Sequence, residues 1–307
     1  MDTGARTIVV EGLRYVYRGG TVALDGVDLA VGTGLFGLLG PNGAGKSTLM
    51  KACCTLLVPT AGRVSVLGHD TVRERRAVRA VLGYLPQEFG AWRLHRVEEV
   101  VDALALLSGL SDGARRRARV AAVLESVGLD QVADRKVKAL SGGMTRRLGV
   151  AQALVHEPRV LIVDEPTVGL DPEERVRFRQ LMASLGQERT IVLSTHIVAD
   201  LGPGCHDVAL IDRGRVVFRG SPAELAESAR GRVFEIDLSP GSEDRLGADV
   251  EIVARQPHGA SLRVRGVSAS GELPADAAPV AEPTLEEGYL VFMARRGRVE
   301  AALAEDA

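Results

Sequence analysis

Nine residues, "GPNGAGKST" at positions 40–48, have the types and spacing of a phosphate cradle. The pattern is a glycine, four residues, then Gly-Lys-Ser. Across Gly40, Pro41, Asn42, Gly43, Ala44 and Gly45, the glycines let backbone N–H groups close around phosphate oxygens. Lys46 can reach β- and γ-phosphates, the Ser47 hydroxyl can ligate Mg²⁺, and Thr48 ends the loop. The apolar run "LFGLL" precedes the loop, and a helix from about Ser47 follows and adds the positive end of its dipole. Of 38 basic residues only Lys46, Lys51, Lys136 and Lys138 are lysine, so a lysine placed in this loop carries weight.

A second set of chemical residues lies downstream. "RVLIVDEP", residues 159–166, is four apolar residues running into two carboxylates. Asp164 at the strand end suits Mg²⁺, and Glu165, one step beyond, is the candidate general base for a water molecule. "STH", residues 194–196, follows another apolar strand and offers His196 to a γ-phosphate. Between these elements "LSGGM" supplies Ser141, Gly142 and Gly143 ahead of an amphipathic run, with Ser141 placed as a helix N-cap.

The elements that must position these residues alternate between strand and helix, which predicts an α/β fold. "TIVVEGL" and "VDLAV" read as early strands flanking a loop that holds Tyr15 and Tyr17. "RVLIVD" and "TIVLS" are apolar throughout, as in strands of a parallel sheet buried on both faces. "DVALID" continues the series, and "DRGR" turns into "VVFRG". Residues 97–128 carry valine and leucine at helical spacing and interrupt the strand pattern as a separate lobe. "SPAE" at 221–224 is a capping box. After about Arg230 come short alternating strands, a Pro/Ala-rich linker "LPADAAPVAEP", and a last helix capped by "TLEE".

The bulk properties exclude several classes. The chain has 307 residues, 46% hydrophobic and 25% charged, with net charge −2. That balance makes no electrostatic case for nucleic acid. The longest apolar stretches are too short or too charged to span a bilayer, and residues 1–13 lack the pattern of a signal peptide. Cys53, Cys54 and Cys205 have no metal-ligand spacing and are expected to be reduced.

Taken in order, "GPNGAGKST", "LPQ" with Gln87, "LSGGM", "LIVDEP", "GLD" and His196 resemble the nucleotide-binding subunits of ABC transporters. The resemblance covers about residues 7–228. It implies a P-loop NTPase core with a mostly parallel sheet, an antiparallel N-terminal β-subdomain, an inserted helical lobe at about 88–157, and a small C-terminal α/β appendage. The expected domains are 1–229 and 230–307. It also implies two chains closed around two Mg-ATP, each ATP held between one chain's phosphate loop and the other chain's Ser141 surface. Tyr17 sits where the family stacks an aromatic on adenine. Gln87 resembles the glutamine that contacts Mg²⁺, and Asp171 the aspartate that reads the opposite site. Asp171 with Pro172 and Glu174 also reads as a helix N-cap.

One position departs from the family pattern: Met144 stands where the family has glutamine. The subtype is similar to ATPases of bacterial drug and antibiotic exporters. The implied partners are a second ATPase subunit and a transmembrane permease, with the chain peripheral at the cytoplasmic face of the membrane. Residues after Gln87, including Phe89, Trp92 and Leu94, form the candidate docking surface. The arginine runs at 73–79 and 115–119 read as solvated helix faces, with acidic lipid or an acidic partner as the alternative. Two functional alternatives share the chemistry: an importer ATPase, and a soluble ABC protein acting on ribosomes or DNA.

Overall fold

The computed structural model describes residues 6–90, 92–202, 204–242, 246, 247 and 249–305, so the signal-peptide reading of residues 1–5 lies outside the described residues. Contacts divide the chain into two units at Arg219/Gly220, where the sequence reading places its boundary at 229/230. The difference is one short helix, described with the second unit below.

The first unit holds two sheets among the described residues. The antiparallel sheet runs β2–β1–β4–β5, with β1 at Ile8–Val16, β2 at Val22–Val31, β4 at Ala61–Val66 and β5 at His69–Asp70. Tyr15, expected in a loop, is inside β1 and pairs with Leu24, because β1 extends to Val16. The other sheet runs β10–β9–β3–β8–β7–β6. Its strands are β3 (Gly34–Leu39), β6 (Leu82–Leu85), β7 (Val160–Asp164), β8 (Thr190–Thr195), β9 (Cys205–Asp212) and β10 (Arg215–Gly220). The pairs from β9 through β6 are parallel. Every residue of β7 and β8 is buried, which is why both read as unbroken apolar runs.

The helices of this unit lie partly on the sheet and partly against one another. They are α1 (Lys46–Cys53), α2 (Arg75–Val81), α3 (Val97–Leu107), α4 (Gly113–Ser126), α5 (Gly142–Leu154) and α6 (Pro172–Gly186). The helical stretch expected over 97–128 is two helices. Gly109, at φ +97°, ends the first turn-like exit from α3, and the Asp112 side chain accepts from the Arg115 N–H to cap α4. Ser141 caps α5 by accepting from Met144 N–H at 3.2 Å, and Asp171 caps α6 by accepting from Glu174 N–H at 2.8 Å with Pro172 behind it.

The second unit is built on an antiparallel sheet, β12–β13–β11–β14. Its strands are β11 (Val233–Leu238), β12 (Val250–His258), β13 (Ser261–Ser268) and β14 (Ala278–Pro279). The last of these lies in the Pro/Ala-rich segment read as a linker, where Pro279 pairs with Phe234. Helices α7 (Pro222–Glu227) and α8 (Leu285–Glu305) pack on each other, which is why α7 groups with this unit. Both capping boxes are present: Ser221 with Glu224, and Thr284 with Glu287.

Candidate nucleotide site

Strand register brings the chemical residues to one edge. Leu39 pairs with Thr195, Asp164 with Ser194, and Leu85 with Val163, so β3, β8, β7 and β6 end nearly level. The chain leaves those four ends into the phosphate loop, His196, Glu165 and Gln87 respectively. The carboxyl ends of parallel strands are where α/β sheets place ligands.

Gly45 precedes α1 at φ +110°, a conformation that a side chain strains, and an added Cβ would lie 2.7 Å from the Ala23 carbonyl. Lys46 turns back across the loop. Its Nζ donates to the carbonyls of Gly40 at 2.7 Å and Pro41 at 3.1 Å, and lies 3.2 Å from Glu165 Oε1. Glu165 is 4% exposed, and its other oxygen, Oε2, is 2.8 Å from His196 Nδ1. The carboxylate therefore stands between the phosphate-loop lysine and the histidine. Its backbone is at φ +46°, a left-handed conformation that a glutamate pays strain to hold. Ser194 fixes the pair of acids: its hydroxyl donates to Asp164 Oδ1 at 2.7 Å and accepts from Glu165 N–H at 3.1 Å.

A cavity of about 480 Å³ opens here, lined by Tyr17, Thr21–Ala23, residues 41–48, Gln87 and Glu165. Tyr17 Oη hydrogen-bonds Thr48 Oγ1 at 3.0 Å, and the Tyr15 ring meets the Tyr17 ring edge-on with centroids 4.9 Å apart. That leaves an aromatic face at the mouth, since Tyr17 is exposed. Ser47 and Gln87 line the cavity with a hydroxyl and an amide group, and Asp164, which is not on its lining, keeps Oδ2 free of hydrogen bonds among the described residues; such donors suit a hard cation.

Ser141, Gly142, Gly143 and Asp171 do not line this cavity. Ser141, Gly142 and Asp171 are exposed, as a surface for a second chain requires. Gly143 is buried against Glu174: a Cβ there would sit 2.1 Å from the Glu174 carboxylate. Glu174 also lies 3.0 Å from Arg177 and 3.6 Å from Arg147.

Several residues of the site escape sequence reasoning. Thr21, Val22 and Ala23 line the cavity from the start of β2. Buried Asp200 accepts from the hydroxyls of Thr167 and Thr195, tying the segment after Glu165 to the His196 loop. Arg146 reaches backbone carbonyls of Pro86, Gln87 and Glu165. Only the serine of "STH" had a visible signal, its place at a strand end beside Asp164.

The arginine runs divide. Arg73, Arg75 and Arg76 are exposed, as a solvated face requires. Arg116 instead pairs with Asp102 at 2.7 Å, and Arg119 caps the end of α5 through the Leu154 and Val155 carbonyls. The three cysteines are free and buried, and burial pushes the thiols up, Cys53 to about 12 and Cys205 to about 11, so they are poor nucleophiles. No helix among the described residues is long and apolar enough to cross a membrane.

The profile of the ABC transporter family matches residues 24–168. The daunorubicin resistance ATP-binding protein DrrA3 of Streptomyces coeruleorubidus is 39% identical over 249 residues, covering 80% of this chain and 77% of the relative. The chain belongs to the ABC transporter family. Its relatives include the daunorubicin/doxorubicin resistance ATP-binding protein DrrA of Streptomyces peucetius, 40% identical over 76% of this chain and 71% of that one. The Nod factor export ATP-binding protein I of Paraburkholderia xenovorans is 39% identical over 69% and 70%. Among solved structures, cbiO1 from Clostridium perfringens, part of the ABC transporter complex cbiONQ, has a TM-score of 0.65 at 31% identity, over 72% of this chain and 90% of that one. The dimeric cassette MJ0796 with ADP and Pi has a TM-score of 0.63 at 25% identity, over 70% and 98%. This ABC protein is an ATP-binding ATPase related to the ATP-binding proteins of drug-resistance exporters.

Proposed function

We propose that this ABC ATPase closes as a pair of chains around two Mg-ATP and drives a separate membrane permease that exports a drug-like or lipid-like compound. The observation that carries the reading is the Glu165 carboxylate held between Lys46 and His196, at 3.2 and 2.8 Å, on the wall of the phosphate-loop cavity. A triphosphate entering the loop competes with Glu165 for the Lys46 ammonium. Lys46 then answers phosphate charge, and Glu165 is released to orient and deprotonate water beside His196. Adenine stacks on Tyr17, and Ser47, Asp164 and Gln87 would hold Mg²⁺, which neutralises charge developing on the phosphates. Ser141, Gly142 and Gly143 with Asp171 face the partner chain's nucleotide.

Export is supported by the drug-resistance and Nod factor export names of the relatives. The permease side is a groove of about 280 Å³ lined by Tyr84, Phe89, Leu104, Gln152 and His156, and Trp92 and Leu94 are exposed a little further along the chain. The membrane-peripheral location follows from that partnership. The test is a pull-down of tagged Glu165→Gln protein with ATP from gently solubilised cells, read by mass spectrometry. A polytopic membrane protein as the stoichiometric partner is expected. Ribosomal or DNA-associated proteins alone would sink the transport reading and leave the ATPase chemistry standing.

A further inference from the structure

Arg146 is 9% exposed, and its guanidinium meets no carboxylate within ion-pair distance among the described residues. It meets backbone instead. Nη1 donates to the Gln87 carbonyl at 2.9 Å and the Pro86 carbonyl at 3.3 Å, and Nη2 donates to the Glu165 carbonyl at 3.3 Å. Its Cζ also lies 5.8 Å from the centre of the Phe89 ring. Burial disfavours its charge, and Asp164 offsets that only in part from beyond ion-pair distance, so an apolar side chain would fill this space more cheaply. What an apolar side chain cannot do is join three elements: α5, which Ser141 caps; the Gln87 loop; and the strand end that carries Glu165.

We propose that Arg146 is a positioning residue that fixes the Glu165 backbone and couples it to the Gln87 loop. Glu165 is the residue held at φ +46°, and Arg146 holds its carbonyl. With that carbonyl released, the backbone relaxes toward the common regions. The carboxylate then leaves the point from which it meets both Lys46 and His196. Phe89 lies on the groove proposed for the permease, so a partner pressing there acts on the same guanidinium that holds Glu165. Lysine is not a substitute, since only a planar fork reaches carbonyls on two sides at once.

This inference rests on Glu165 being the base, and the experiment separates the two. The full-length protein, Arg146→Lys, Arg146→Ala and Glu165→Gln are compared for ATP affinity, for kcat and KM of ATP hydrolysis, and for nucleotide bound per folded chain. Arg146→Lys is expected to lower kcat about tenfold, and Arg146→Ala about a hundredfold, with ATP affinity within about twofold of the parent. Added guanidinium ion should restore part of the Arg146→Ala rate and none of the Glu165→Gln rate. A parental kcat in Arg146→Lys overturns the proposal. So does a loss that tracks the folded fraction or falls equally on nucleotide binding, as a purely structural role requires. Parental hydrolysis by Glu165→Gln removes the base assignment and this proposal with it.

Discussion

Glu165 and Glu287 are buried carboxylates with a basic partner, one in each unit, at 4% and 1% exposure. Glu287 is answered completely. Arg265 donates to Oε1 at 2.5 Å and to Oε2 at 3.1 Å, and Thr284 N–H donates to Oε2 at 2.7 Å. Glu165 is answered in part: its Oε1 sits near Lys46 but accepts no hydrogen bond among the described residues, and its backbone is strained. Charge whose hydrogen bonds are all made inside the fold stabilises one arrangement. Charge left partly unmet beside a cavity is poised to exchange partners. The contrast separates architecture from chemistry without reference to any ligand.

The sharpest way to break the comparison is to neutralise Glu165. Glu165→Gln keeps the shape and is expected to slow ATP hydrolysis by a factor on the order of 10²–10³. Nucleotide binding should survive, and light scattering should show an ATP-dependent dimer. Hydrolysis near the parental rate would make Glu165 another structural carboxylate, like Glu287. Lys46→Ala follows in size. It removes the loop's ammonium and leaves Glu165 buried with His196 as its ionisable partner. ATP affinity should fall at least about tenfold, and an unchanged titration would count against the loop assignment.

In the second unit the same operation should act on stability. Glu287→Gln loses charged hydrogen bonds to Arg265 but leaves Arg265 its second partner, Glu235, at 3.1 Å. The expected cost is about 2 kcal/mol in the unfolding of this unit, with ATP affinity unchanged. The pH dependence has a definite sign. Burial works to raise the Glu287 pKa, but the Arg265 guanidinium and the Thr284 N–H outweigh it, so the value lies below the ordinary 4.5. A depressed carboxylate stabilises above its unfolded pKa and loses that contribution as pH falls through the folded one. The parent should therefore lose this stability only below about pH 4.5, and Glu287→Gln should flatten that part of the profile. A variant profile that falls as steeply as the parent's would place the acid sensitivity elsewhere.

How far the sequence carried differs between the two kinds of feature. Motif residues stand at the ends of strands whose apolar runs were visible, and the structure places Lys46, Glu165 and His196 side by side there. N-caps were equally legible, because a short polar side chain followed by helix formers is a local signal. What stayed hidden depends on tertiary partners. Arg146 bonds to backbone carbonyls, which every residue has, so no residue type marks its targets. β6 is four residues at the sheet edge, too short to show a period, and β14 is two residues inside a Pro/Ala run. Tyr15 looked like a loop residue because β1 bends through register shifts before it ends.

The smallest expected effects fall on two serines that are alike locally. Ser141 caps α5 by accepting an N–H at 3.2 Å, and Ser221 caps α7 by accepting one at 3.1 Å. Replacing either with alanine should cost about 1 kcal/mol of stability, since each leaves one helix-end donor unmet. If Ser141 were only a cap, the two variants would match in every assay. The reading of Ser141 as part of the surface facing the partner chain's ATP requires them to part. Ser141→Ala should also lower ATP hydrolysis and weaken the ATP-dependent dimer, while Ser221→Ala hydrolyses at the parental rate. Steady-state ATPase on the matched pair, normalised to folded protein, decides it. Equal rates would reduce Ser141 to the role that Ser221 plays in the second unit.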